Sequence, residues 1–230
     1  MPVELRLPDG TVATHPDGVT GGEAARAIGH GLARAAIAVE VDGRLFDLER
    51  PIQEGGAFKV ITLDNDRGLE ILRHSTAHVL AQAVLDLYAG ATFAIGPPIE
   101  DGFYYDFEVE APFTPEDLER IEGRMREIIA EDQPFRRLVM GRDQALEVFS
   151  DHKFKVEIIE SVEPAEGAGG EEVTAYRNDG FIDLCRGPHL PSTGRIAAMK
   201  LLRSSGAYWR GDENREQLQR IYGTAWASNE

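Results

Sequence analysis

A chain of 230 residues, 42% hydrophobic and 28% charged, is long enough for two ordinary domains that each bury a core, and it reads as a folded, soluble protein. No apolar run approaches the roughly 18 to 20 residues of a membrane span, and Met1-Pro2-Val3-Glu4 has no basic region before an apolar block, so a cytoplasmic protein with no membrane partner is expected. The net charge of −16 excludes a broad cationic surface as the main means of holding nucleic acid, and the single cysteine, Cys185, excludes an intrachain disulfide.

The first 63 residues read as a small β-grasp domain of the α+β class. Residues 3–6 and 11–14 alternate around the turn Pro8-Asp9-Gly10, which predicts a hairpin. A helix follows over residues 20–33, carrying Ala24, Ala25, Ile28 and Leu32 and ending near Gly29 to Gly31. Residues 36–41 and 44–48 form a second hairpin across Asp42-Gly43, and a last strand covers residues 57–63. Two hairpins around one helix give that architecture.

The polar joint Asp64-Asn65-Asp66 opens a larger α+β domain, expected over residues 64–226. Its first helix, residues 68–88, has Leu72, Val79, Leu80 and Ala83 on one side. Ile71, His74, His78 and Ala81 lie on the other, so it is covered on both. Strands are expected at residues 93–98 and 102–108, with Phe103, Tyr105 and Phe107 on one face and Tyr104 and Asp106 on the other. Thr114-Pro115-Glu116-Asp117 is a capping box that starts an amphipathic helix. A short helix over residues 142–150, a strand at 154–159, an acidic glycine-rich loop at 163–170 and a strand at 181–185 complete the order.

Chemistry concentrates in two strings. His74 and His78, four residues apart on a helix, can reach one atom or ion, and Cys185-Arg186-Gly187-Pro188-His189 adds a thiol and a third imidazole at the same spacing. His74, His78, Cys185 and His189 are a possible zinc set. The same residues can also work without metal, an imidazole acting as base while a carboxylate fixes its tautomer. Asp183, two residues before Cys185 on the same strand face, is placed for that carboxylate role; spacing does not place Lys155, and a lysine there is more often at the surface. Arg186, Arg195, Lys200, Arg203 and Arg210 either line a local basic groove or are ordinary solvated charges.

The strings HSTAHVLAQAV, IGPPIEDGFYYDF, DLCRGPHLPSTGRI and GAYWRGDENREQLQRIYGTAW resemble the amino-terminal region of the bacterial-type threonyl-tRNA synthetase family, over almost the whole chain. The first part resembles the family's TGS domain and the rest its editing domain. A related HxxxH plus CxxxH pattern occurs in alanyl-tRNA synthetase editing domains, and GAYWRGD and RIYGTAW favour the threonyl member.

The resemblance implies hydrolysis of tRNA(Thr) mischarged with serine, with His74, His78, Cys185 and His189 lining the pocket. It also implies site roles for Lys155 and Asp183, and places Tyr104 and Tyr105 near the terminal adenosine. On this reading His74 and Lys155 position and activate water, His189 and Asp183 orient the seryl group or leaving hydroxyl, and Cys185 and Arg186 shape the substrate's surroundings. No cofactor is expected for editing, while ATP and a separate catalytic zinc belong to the full-length enzyme. The chain stops after Ala227-Ser228-Asn229-Glu230, so an excised piece without aminoacylation activity is expected. A monomer is expected too, because the family dimerises through parts this chain lacks. The rivals are a zinc-dependent ester or amide hydrolase and a non-enzymatic module that binds RNA or a partner.

Overall fold

The computed structural model describes residues 1–161 and 172–228. The loop expected at residues 163–170 lies outside them. Val3–Arg6 (β1) and Val12–His15 (β2) pair antiparallel with Val3 opposite His15. Thr20 then starts a helix through a reciprocal cap. Its hydroxyl accepts the Glu23 N–H, and the Glu23 carboxylate accepts the Thr20 N–H. The single helix expected over residues 20–33 is two, Gly21–Ile28 (α1) and His30–Ala35 (α2), separated by Gly29 in extended backbone.

Ala38–Val41 (β3) and Arg44–Asp47 (β4) form the second hairpin. Its turn residues Asp42 and Gly43 have φ of 45° and 81°, the left-handed pair that a two-residue turn requires. Gly56–Ile61 (β5) lies between β1, parallel to it, and β3, antiparallel, giving the sheet order β2-β1-β5-β3-β4. Val3, Leu5, Val19, Ala24, Val39, Val41, Ile52 and Phe58 form the core beneath it.

Asp66–Leu87 (α3) is the axis of the second part, its start capped by the Asn65 side chain accepting the Gly68 N–H. Every residue from 71 to 84 except His74 is buried, so the helix is surrounded by protein as its two apolar sides require. Thr92–Phe93 (β6), Pro98–Ile99 (β7) and Gly102–Glu108 (β8) lead to Pro115–Ala130 (α4), which begins at the Thr114–Asp117 capping box. Next come Arg136–Gly141 (β9), Arg142–Val148 (α5), Lys153–Ser161 (α6), Glu172–Asn178 (β10) and Phe181–Leu184 (β11). Ala198–Tyr208 (β12) and Gln217–Trp226 (β13) complete a five-stranded sheet, β12-β13-β8-β6 with β7 also on β8. A three-stranded antiparallel sheet, β11-β10-β9, stands apart from it. The largest core joins α3 to Phe103, Tyr105, Phe107 and Ile221 of the larger sheet and also takes in Ile37, Ala38 and Ile61 of the first domain.

One element differs in kind from the sequence reading. Residues 154–159, expected as a strand, lie in the helix α6. Phe154, Lys155 and Ile159 are its buried residues. Phe154 enters the cluster with Ala94, Trp209 and Leu218, and Lys155 turns toward Asp183. On a helix adjacent side chains diverge by only about 100°, which permits both.

Candidate active site

Five separate elements or turns deliver the polar side chains of one buried cluster. His74 and His78 stand one turn apart on α3, their ring centroids 5.2 Å apart. The His189 ring, from the loop after β11, lies 4.4 Å from His74 and 4.2 Å from His78. Cys185 Sγ sits 3.3 Å from His74 Nε2 and 3.3 Å from His189 Nε2. Behind the imidazoles, Asp183 of β11 receives Lys155 Nζ of α6 at 2.6 Å on Oδ1 and the Tyr105 hydroxyl of β8 at 2.6 Å on Oδ2. Lys155 also donates to Tyr105 Oη at 3.1 Å. His78 Nε2 lies 3.4 Å from Asp183 Oδ2.

Hydrogen-bond accounting fixes one tautomer. The Ser75 hydroxyl has a single proton, which goes to the Ile71 carbonyl at 2.8 Å, and it accepts the Leu190 N–H at 3.0 Å. Its contact with His189 Nδ1 at 3.0 Å therefore requires Nδ1 to donate. His189 Nε2 is left as a lone pair facing the Cys185 thiol.

The electrostatics favour neutral imidazoles and a protonated thiol. Burial depresses the His74 pKa to about 4, although Asp183 works in the opposite direction. Burial likewise takes His78 to about 3 and His189 well below its ordinary value. Burial, aided by Asp183, pushes the Cys185 thiol up to about 12. Burial would also raise Asp183, but Lys155, His78 and the hydrogen bonds from Lys155 and Tyr105 outweigh it and keep the carboxyl ionised. The cluster therefore holds one buried ion pair, three neutral bases and a thiol that is a poor nucleophile at neutral pH.

Residues 173–222, which include Asp183, Cys185 and His189, match the family described as the threonyl and alanyl tRNA synthetase second additional domain. Residues 3–62 match the TGS domain. A threonine–tRNA ligase of Phenylobacterium zucineum (strain HLK1) is 52% identical over 229 residues, covering 98% of this chain and 34% of its own length. Another, of Thiobacillus denitrificans (strain ATCC 25259 / T1), is 52% identical over 231 residues, covering 99% of this chain and 36% of its own. Over nearly its whole length the chain is similar to threonine–tRNA ligases. It spans about a third of the length of these relatives.

The structure gathers His74, His78, Lys155, Asp183, Cys185, His189 and Tyr105. Lys155, to which the resemblance gave a site role although a lysine in such a string is more often at the surface, is 2% exposed. It can be buried because Asp183, the Tyr105 hydroxyl and the Phe93 ring, 4.7 Å from Nζ, replace its water. Tyr104 is not in the cluster. It lies on the other face of β8, its ring 3.8 Å from the Arg220 guanidinium. Arg186 is exposed beside the cluster. The basic stretch is dispersed: Arg195 donates to the Arg34 and Ala35 carbonyls, Lys200 pairs with Glu122, Arg203 covers the Tyr222 ring and Arg210 pairs with Glu157.

Several residues at the site carry no mark in the sequence. Ser75 adjoins His74 and orients His189. A groove of about 420 Å³ between the two parts of the chain is lined by Arg50, Arg136 and Arg137 as well as Asp47 and His189. No local signal singles out these cations, which come together from β9 and the segment after β4. No helix among the described residues is long and apolar enough to cross a membrane.

Proposed function

We propose that this chain hydrolyses serine from tRNA(Thr) mischarged with it. The observation that carries the reading is the convergence of His74, Lys155, Asp183 and His189 around a thiol held protonated. Such a site can position and deprotonate water but offers no activated nucleophile of its own. His74 is the imidazole water reaches, since His78 and His189 are 2% and 1% exposed. Water attacks the seryl carbonyl carbon, passing a proton to His74 Nε2. The bond from that carbon to the ribose oxygen then breaks, and the ribose oxygen takes the proton back from His74 to leave as hydroxyl. Lys155, held by Asp183 and Tyr105, keeps the Asp183 carboxylate fixed beside His78 and behind the imidazoles rather than touching the water itself. His189, its Nδ1 proton engaged by Ser75, presents the Nε2 lone pair, which can accept from the seryl hydroxyl and orient it.

The need for such a site follows from magnitudes. Serine lacks one methyl of threonine, and a missing methylene discriminates by only about 1–3 kcal/mol. A second pocket that admits serine and crowds out the extra methyl removes the errors that binding leaves. Arg50, Arg136 and Arg137, which line the groove together with His189 and outnumber its acidic Asp47 and Glu49, offer cations to an RNA end on an otherwise acidic protein.

A zinc-dependent hydrolase is the second reading, because the donor atoms of His74, His78, Cys185 and His189 all lie within 4.8 Å of one another. Their chemistry fits a tetrahedral zinc ion, which would polarise water there if three of the four held it and the fourth position stayed open. The test is the rate of ester hydrolysis of seryl-tRNA(Thr) against threonyl-tRNA(Thr), with and without EDTA. Serine-selective, EDTA-insensitive loss is expected. Chelator-sensitive loss would move the four residues to metal binding, and no loss above buffer would remove the hydrolase reading.

A further inference from the structure

We propose that Asp47 makes the β-grasp domain a working part of the hydrolytic site by positioning the loop that carries His189, an inference that rests on the hydrolase reading above. Asp47 is the last residue of β4, on the edge of the first sheet. Both of its oxygens are committed to the other domain. Oδ1 accepts the His189 backbone N–H at 3.1 Å, and Oδ2 accepts the Tyr176 hydroxyl at 2.6 Å.

Tyr176 passes the constraint on. It is 1% exposed, and its ring meets the His189 imidazole edge-on with centroids 4.5 Å apart. Its hydroxyl also lies against Gly187, whose φ of 69° and lack of a side chain leave room for it. One carboxylate thereby fixes the start of the His189 side chain, one wall of its ring and the turn before it. Other supports, among them Ser75 on Nδ1 and the Phe135 ring stacked at 4.9 Å, belong to the second domain.

A contact serving only to hold two domains together need not touch the site. Arg195 shows that kind, donating to the Arg34 and Ala35 carbonyls. Asp47 instead grips the residue whose Nε2 faces Cys185. A carboxylate accepting from a backbone N–H forms a charge-assisted bond, stiffer than a neutral one. A small displacement of an orienting group is enough to slow a reaction by orders of magnitude. Asp47 is thus a positioning residue, acting on the reaction through His189.

The test compares Asp47→Ala, Asp47→Asn and Tyr176→Phe with the unaltered chain. It reads kcat and KM for seryl-tRNA(Thr) hydrolysis, Tm, and the ¹H–¹⁵N signal of the His189 amide. Asp47→Ala is expected to lower kcat by roughly 10- to 100-fold with KM within about twofold, and to shift the His189 amide upfield. Asp47→Asn keeps an acceptor for that amide and should recover most of kcat, while Tyr176→Phe falls between. A kcat for Asp47→Ala within about twofold of the unaltered chain overturns the proposal. So does an Asn variant no better than Ala whose losses only follow Tm. If the unaltered chain hydrolyses nothing, the hydrolase reading fails by itself, and the amide decides the positioning claim: an unmoved His189 signal in Asp47→Ala overturns it, and a shifted one upholds it.

Discussion

The Lys155 ammonium lies 2.6 Å from Asp183 Oδ1, and the two side chains are 2% and 3% exposed. Removing either partner strands the other charge away from water, at a cost of about 3–5 kcal/mol. Lys155→Met and Asp183→Asn should each lose stability on that scale in urea denaturation and stop hydrolysis. The double variant leaves no stranded charge and should regain at least half of the summed loss. A Lys155→Met protein as stable as the parent would mean that the pair is not desolvated.

The histidines give the pH dependence a definite sign. His74 and His78 have folded pKa values of about 4 and about 3, below their ordinary 6.5. Both states are neutral above pH 6.5, so these groups cost nothing there. As pH falls below 6.5 the unfolded chain takes up protons that the folded chain refuses, and stability drops until the folded values are reached. A tenfold difference in proton affinity between the two states is worth about 1.4 kcal/mol, so the loss is on the order of several kcal/mol. Asp183, held below its ordinary value of 3.8, keeps its stabilising share down to that pH and loses it below. Urea midpoints should fall from pH 7 to pH 4, and the hydrolysis rate should be level from pH 6 to 8. A midpoint that rose on acidification would contradict buried neutral imidazoles.

Gly96 packs directly against the Tyr105 ring, where any side chain would collide. Gly96→Ala must therefore displace that ring and its bond to Asp183. We expect about 1–3 kcal/mol of lost stability and a lower kcat, with Tyr104→Phe as the contrast, since Tyr104 lies on the other face of the strand. Equal rates for Gly96→Ala and the parent would show that Tyr105 does not support the ion pair.

Cys185 is a thiol pushed up to about 12 by burial and by Asp183. Iodoacetamide at pH 8 should modify the native protein far more slowly than the denatured chain, and Cys185→Ala should hydrolyse within about tenfold of the parent. Rapid alkylation accompanied by complete loss of activity would instead make the thiol the nucleophile.

Period and spacing are enough to read the secondary frame and part of the cluster. Asp42-Gly43 sets a hairpin because few other pairs tolerate two left-handed residues, and the sheet of the first domain follows. His74 and His78 share a helix face by the 3.6-residue repeat, and alternation puts Tyr104 and Tyr105 on opposite faces of β8. Residues 154–159 resist such a reading because a short, largely apolar run fits both periods, so tertiary packing selects the helix.

The sequence by itself determined which side chains could do chemistry and which of them are local neighbours, since helix and strand geometry are properties of a few consecutive residues. Tertiary structure alone decided that Lys155 meets Asp183, that Ser75 sets the His189 tautomer and that Asp47 reaches across to the His189 backbone. Those contacts join residues 28, 114 and 142 positions apart. Their energetics come from desolvation, and no local pattern records which distant group will replace the lost water.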